Sequence, residues 1–469
     1  MQIVDHLLKN FSFEPTQGQQ KFFVKFQDFF LENGYTHNTM LLRGYAGTGK
    51  TTCVSTVVKT AQHFGYKTVL LAPTGRAAKV MRNYAEISAN TIHRTIYKQQ
   101  TNANGNVYFA PLINKEKTTL YIVDEASMIS SDRDMGENGL LADLIQFVFA
   151  DNSNKLMIVG DGAQLPPVGQ EISAALDKDR LSSYGLNVFE AELKDVVRQQ
   201  KLSGILYNAT LMRNLLAKNS TAITFHTSGF SDIYPIPLDK LEDGLRYAYK
   251  KFGEEDTIII CRSNKAAVAF NNYIRRQIRF VDSEIDAGDM LMVVKNNYTT
   301  LPADNKAGFI ANGDMIEIRR IRRTEEVYGF RFATIEFALL DYPDLPNVEA
   351  KIFLDTLQSD APALTSVQLK ELYEAVMEDY NHIANKAERN KAIRKDPYLT
   401  ALQVKFAYAL TCHKAQGGQW KAVFVDQGYL TEEMLHKDYV RWLYTALTRA
   451  STELYLMNFD ERFFVEKTS

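Results

Sequence analysis

The sequence predicts an α/β protein of more than one domain, and two observations carry that prediction. Short apolar runs recur along the 469 residues and many end in polar, glycine-containing loops: KTVLLAPTGRAAK (67–79), TLYIVDEASM (119–128), KLMIVGDGAQLPPVG (155–169), TIIICRSN (257–264) and FAYALTCHKAQG (406–417). Each has the form of a strand followed by a loop. The second observation is LLRGYAGTGKTT at 41–52, in which 44–51 fits G-x-x-x-x-G-K-[ST]. In open α/β sheets ligands lie at the carboxyl ends of strands, so these loops are expected to line one cleft.

The glycine-rich stretch justifies itself by its flanks. TMLLRG before it reads as a buried strand and KTTCVSTVVKTAQHF after it as a helix, the setting in which backbone N–H groups converge on a phosphate at a helix N-terminus. Gly44, Ala46, Gly47, Thr48, Gly49, Lys50, Thr51 and Thr52 are therefore candidates for binding ATP. Lys50 supplies a point charge, and Thr51 places a hydroxyl for Mg²⁺. Arg43 and Tyr45 flank the loop without an assigned role.

The next strand ends in Asp124-Glu125. Asp124 is placed to hold the Mg²⁺ shell, and Glu125 to orient and deprotonate an attacking water. In VGDGAQLPPVG, Gln164 is a neutral side chain able to bond a γ-phosphate and to lose that bond on hydrolysis. Arg198 and Arg449 are candidates to neutralise the phosphates, but they lie far along the chain from the loop and would have to arrive from a second domain; by composition alone either reads as a surface charge. An arginine placed at the phosphates is worth ~10³–10⁵ in phosphoryl-transfer rate.

Composition sets limits. Hydrophobic residues make up 45% of the chain, ordinary for a globular fold. No apolar run is long enough to span a bilayer, and the opening MQIVDHLLKN lacks the charged-then-apolar order of a signal peptide. A cytoplasmic protein without membrane contact is expected. Cys53, Cys261 and Cys412 are too few and too scattered for a disulfide framework or a zinc site. Lys and Arg number 54 against 56 Asp and Glu, so nucleic-acid binding requires a local basic track rather than overall charge.

Eight stretches, GYAGTGKT, APTGRAAK, TIHR, VDEASM, GDGAQLPPVG, VVRQ, TCHKAQG and YTALTRA, follow one another in this order across most of the chain. As an ordered set they resemble the superfamily-one DNA helicases, and TIHR, DEASM and HKAQG are most similar to the RecD/Dda-like branch, whose members move 5′ to 3′ on single-stranded DNA. The resemblance implies two RecA-like P-loop domains, with a β-hairpin (pin) insertion in the first and an SH3-like β-barrel insertion in the second. The implied boundaries are 1–195 for motor domain 1A with the pin at 97–118, 196–290 and 401–469 for motor domain 2A, and 291–400 for the inserted domain 2B.

Residue roles follow from the same resemblance. PTQGQQKFF is similar to the segment whose glutamine reads adenine, which points to Gln19, with Gln17 and Gln20 as alternative registers. Arg198 and Arg449 match the arginines that close on the γ-phosphate, and Gln416 and Gly417 the loop joining nucleotide to DNA. Pro73, Thr74, Thr91, His93, Thr411, His413 and Lys414 fall in segments that contact the strand, although either histidine could be structural. In the pin, Asn104-Gly105 or a neighbouring turn reverses the hairpin, and Tyr108 and Phe109 form an aromatic tip that stacks on a base, or one of the two packs the hairpin onto its own domain.

In the second insertion, 308–340 alternates as a small antiparallel barrel with a turn at Asn312-Gly313, and Arg319, Arg320, Arg322 and Arg323 either line a DNA exit or keep a strand soluble. Residues 366–395 read as a charged, solvated helical arm, with docking of a protein partner as the second option.

The function expected is an ATP- and Mg²⁺-dependent helicase or translocase acting as a monomer on single-stranded DNA and single-strand/duplex junctions. The alternative is a DNA-stimulated ATPase that displaces bound proteins or loads partners with little unwinding. An RNA substrate stays open at this stage. A nucleotide-gated binding module without turnover is disfavoured because Lys50, Asp124, Glu125, Gln164 and Arg449 are all present.

Overall fold

The computed structural model describes residues 2–101, 107–130, 139–197, 202–302 and 309–465. Its first eight strands are β1 (Asn38–Gly44), β2 (Lys67–Ala72), β3 (Ala89–Thr91), β4 (Tyr97–Thr101), β5 (Val107–Pro111), β6 (Thr119–Val123), β7 (Lys155–Gly160) and β8 (Asn187–Leu193). Six of them form a parallel sheet in the order β3-β2-β6-β7-β1-β8. Every residue of β6 and β7 is buried, because helices cover both faces. Met40 and Leu42 of β1 pack with Phe22, Phe26 and Phe29 of the helix Gln17–Leu31 on one face. Leu41, between them, packs with Leu144 of the helix Leu140–Val148 on the other. That alternation is the two-residue period of a strand buried on both sides.

β4 and β5 pair as an antiparallel hairpin, Tyr97 opposite Pro111 through Thr101 opposite Val107. Tyr108 and Phe109 lie on β5 opposite Gln100 and Gln99. Their side chains, like the turn at Asn104-Gly105, fall outside the described residues.

The remaining strands are β9 (Ile233–Ile236), β10 (Thr257–Cys261), β11 (Met290–Val293), β12 (Met315–Val327), β13 (Phe330–Leu339), β14 (Val348–Phe353), β15 (Leu402–Phe406), β16 (Ala409–Thr411), β17 (Trp420–Asp426) and β18 (Ala450–Met457). A second parallel sheet runs β16-β10-β17-β18-β9. Between its strands, β11 to β15 close into a barrel.

Two features of this insertion differ from the sequence expectation. The barrel is not wholly antiparallel: β14 and β15 run parallel, because the chain between them crosses through the helices Asp355–Gln358, Ser366–Asp379 and Lys386–Arg394. It also takes in β11 and β15, which reach beyond 291–400 on both sides.

The arm is likewise docked rather than solvated. Leu372 and Val376, one turn apart, are fully buried against Phe330, Phe332 and Phe353 of the barrel. Arg319, Arg322 and Arg323 pair with Glu317, Glu336 and Glu325 at 2.8, 3.0 and 3.4 Å, so most of the barrel's arginine charge is matched locally. Among the described residues no helix is long and apolar enough to cross a membrane.

Candidate active site between two parallel sheets

β1 delivers the glycine-rich loop at its carboxyl end, and the helix Lys50–His63 carries the chain away. Gly47 and Gly49 adopt φ of 72° and 81°, in the left-handed region where a side chain is costly. Space also restricts Gly49: a Cβ there would sit 2.5 Å from Gln19 Nε2. Gln19 lies beneath the loop, only 2% exposed. Its Nε2 donates to the Thr48 carbonyl at 3.0 Å and its Oε1 accepts from Thr16 N–H at 2.9 Å. Each end of the amide is therefore engaged once by protein, and Gln19 sits as a brace under the loop. Lys50 Nζ donates to the carbonyls of Gly44 (2.7 Å) and Tyr45 (3.1 Å) and lies 3.9 Å from the Asp161 carboxylate. Thr51 and Thr52 occupy the first turn of the helix, Thr51 exposed.

β6 brings Asp124 and Glu125 to the same edge. Asp124 accepts from the Tyr84 hydroxyl at 2.5 Å and from Glu125 N–H at 2.8 Å. Glu125 has φ 52°, a strained conformation of the kind that collects at functional sites. Burial raises its pKa above the usual carboxylate range; Arg449 and Lys50 oppose the rise, while Asp124 and Asp161 add to it. A base so tuned holds a proton more firmly than an ordinary glutamate. The loop after β7 supplies Asp161, which accepts from Ala163 N–H at 2.9 Å. It also supplies Gln164, 6% exposed, whose Oε1 is buried without a hydrogen-bond partner.

The second sheet reaches this cleft through the helix Lys437–Leu447 and the turn at 416–418. The Tyr444 hydroxyl donates to Asp161 at 2.6 Å and accepts from Ala46 N–H at 2.8 Å. Thr445 Oγ1 accepts from Leu165 N–H at 2.9 Å, and Gln416 Nε2 donates to the Leu165 carbonyl at 2.7 Å. Gly417, at φ 72°, lies so close to the first domain that a Cβ would meet Ala77 Cβ at 3.1 Å and Thr74 Oγ1 at 3.2 Å. Arg449 is 3% exposed, held by the carbonyls of Thr445 and Gly418 at 3.0 and 3.1 Å. Arg198 falls outside the described residues.

The candidate strand-contacting residues occupy matching places in the two sheets. Thr74, after Pro73, caps the helix Gly75–Ala85 that follows β2, accepting from Ala77 N–H at 3.2 Å. Ser263, which the sequence reading passed over, caps Asn264–Tyr273 after β10 in the same way, at 3.1 Å from Ala266 N. Thr91 ends β3 and Thr411 ends β16, each an edge strand followed by a short helix that carries His93 or His413.

These side chains differ in what they offer. His93 stands 6.0 Å from the Tyr97 ring, and burial lowers its pKa to about 4, so it is neutral at physiological pH. His413 is exposed. Lys414 departs from expectation: its Nζ is buried without a partner, and burial, with Lys405 nearby, lowers its pKa to about 8.

The helix Gly75–Ala85 joins the two sets of residues. Thr74 caps its start, while Tyr84 near its end holds Asp124. Between them Arg76 stacks on Trp420 of the second sheet at 3.8 Å, and Lys79 donates to the Leu340 carbonyl beside the barrel at 3.0 Å. Sequence spacing could not pair Tyr84, Asp161, Tyr444 and Thr445, because they meet only through the fold.

A phosphate-binding loop on one parallel sheet, faced by buried side chains from a second, defines a two-domain P-loop nucleotide hydrolase. Residues 27–223 match the AAA domain family, and 406–457 match the UvrD-like helicase C-terminal domain. An uncharacterised protein of Acanthamoeba polyphaga mimivirus is 24% identical over 91% of this chain and 96% of its own length. An uncharacterised Methanocaldococcus jannaschii protein is 24% identical over 90% of this chain, which spans 36% of that relative. The ATP-dependent RecD2 DNA helicase of Deinococcus radiodurans is 35% identical over 28% of the chain and 16% of its own length. Among solved structures, Pif1 helicase from Candida albicans aligns with TM-score 0.44 and 16% identity over 96% of both chains. Bacteroides Pif1 with ADP-AlF3 and single-stranded DNA aligns with TM-score 0.46 and 15% identity over 97% of this chain and 95% of that one. The two matched domains stand in order, an AAA domain and then a UvrD-like helicase C-terminal domain, the arrangement of a superfamily-one helicase.

Proposed function

We propose that the protein is an ATP-driven motor that moves 5′ to 3′ on single-stranded DNA and separates duplex ahead of it. The observation that carries this reading is the double contact of the second sheet with the nucleotide loops: Tyr444 on Ala46 and Asp161, and Thr445 with Gln416 on Leu165. A nucleotide bound at Lys50 thereby acts on the relation between two sheets, each of which presents a Thr or Ser cap and an edge-strand Thr at its carboxyl end. Opening and closing would shift one grip along the strand relative to the other. The direction of movement rests on the branch resemblance.

In hydrolysis Lys50 leaves the Gly44 and Tyr45 carbonyls for the phosphates, and Glu125 accepts the proton of the attacking water. Arg449 neutralises charge developing on the γ-phosphate, together with Arg198. The oxygen donors of Thr51 and Asp124 fit Mg²⁺, which prefers hard oxygen ligands and supplies charge neutralisation on the phosphates when bound. Gln164 would bond the γ-phosphate by donating from its amide nitrogen, its buried Oε1 being an acceptor only.

Grip on the DNA backbone implies sequence-independent, salt-sensitive binding. The test is ATP hydrolysis with and without single-stranded DNA, with Lys50→Ala as the blank. Stimulation by DNA that weakens with added salt supports the motor, and hydrolysis indifferent to DNA refutes it.

A further inference from the structure

We propose that Tyr444 is a nucleotide-displaced latch, whose hydroxyl holds the Ala46 N–H that a phosphate oxygen must take for ATP to seat fully. The proposal rests on the reading of residues 44–51 as the ATP site.

Three observations carry it. The Tyr444 side chain is 1% exposed, so its hydroxyl is committed to its neighbours rather than to solvent. A phenol has one proton to give and lone pairs to accept with; the proton goes to Asp161 Oδ2 at 2.6 Å, which leaves an oxygen lone pair for Ala46 N–H at 2.8 Å. Other loop amides with protein partners bond within the first domain, Tyr45 N–H to Leu193 O and Thr48 N–H to Tyr45 O. Among the described residues, Ala46 is the loop amide whose partner crosses the cleft.

One N–H makes one good hydrogen bond, so the phosphate and Tyr444 compete for it. When a phosphate wins, the helix Lys437–Leu447 loses that grip on the loop and keeps Asp161, which also retains Ala163 N–H. ATP binding thereby breaks one specific bond between the two sheets and leaves the one beside it. Tyr444 is a positioning residue, and its hydroxyl lowers the affinity of the loop for nucleotide in exchange for coupling that affinity to the second domain.

The test is Tyr444→Phe, which keeps the buried ring and deletes only the hydroxyl. Without DNA, the variant is expected to bind ATP about fivefold more tightly than wild type, the fold-change of one neutral hydrogen bond removed from competition. Its KM for ATP should fall, while kcat with DNA falls too because the domains are less well coupled. A purely structural role predicts ATP affinity unchanged or weaker, and that result overturns the proposal. As a measurement that keeps the hydroxyl, 3-fluorotyrosine placed at 444 should shift its fluorine resonance on addition of ATP and not of adenosine; a resonance indifferent to ATP overturns the latch. A wild-type chain that binds no ATP refutes the motor reading itself, which is distinguishable from ATP binding with no gain in the Phe variant.

Discussion

Replacing Gln19 with alanine separates two roles that the same residue could play. As a brace, Gln19 makes two hydrogen bonds, Nε2 to the Thr48 carbonyl at 3.0 Å and Oε1 from Thr16 N–H at 2.9 Å, in a position 2% exposed. At roughly 1 kcal/mol net for each, the change should cost the first domain about 2 kcal/mol. The methyl group that remains no longer holds Gly49 and Thr48 in place, so the loop loses pre-organisation for phosphate. Urea unfolding followed on the first domain, together with titration of ATP and GTP, reads both effects. The brace predicts a lower unfolding midpoint and equal weakening of ATP and GTP, since neither loss involves the base. An adenine reader predicts the reverse, because a site built to bond one base discriminates through those bonds. Unchanged stability with a collapsed preference for ATP would refute the structural argument.

Other predictions follow from the same geometry. Glu125→Gln should retain ATP binding and lose ~10²–10⁴ in kcat. In the wild type, a base raised by burial means that hydrolysis rises with pH through a value above the usual carboxylate range, and a rate flat across that range would contradict the assignment. His93 has a folded pKa of about 4 against an ordinary 6.5, so stability is full above 6.5 and falls as pH drops from there towards 4. His93→Gln should flatten that part of a thermal-unfolding profile. Leu372→Ala should destabilise the barrel by roughly 2–5 kcal/mol, the cost of a deleted core leucine, with ATP binding intact; no measurable loss would mean that the arm is undocked.

Much of the candidate nucleotide site was legible because its parts are contiguous or sit at strand ends. The loop at 44–51 and the pair Asp124-Glu125 announce themselves by spacing after apolar runs. Tyr444 was not legible, because its partners Ala46 and Asp161 lie 398 and 283 residues away and nothing in YTALTRA says that the tyrosine crosses the cleft. The charged arm misled for a different reason: Leu372 and Val376 form a stripe of only two residues in a helix whose other positions are largely polar, yet two are enough to dock it on Phe332 and Phe353. Lys414 shows the limit of a motif, since a lysine in a strand-contacting segment has its amine turned into the protein. The parallel pairing of β14 with β15 could not be read from alternation, which fixes the buried face of a strand and not its direction.

The most direct test of the motor is strand separation, with ATP and Mg²⁺, on duplexes carrying either a 5′ or a 3′ single-stranded tail, with Lys50→Ala as the control. Opening of the 5′-tailed duplex alone is the predicted result. Opening of the 3′-tailed duplex alone would contradict the direction of movement, and DNA-stimulated hydrolysis with neither duplex opened would contradict unwinding and identify a motor that displaces or loads proteins instead.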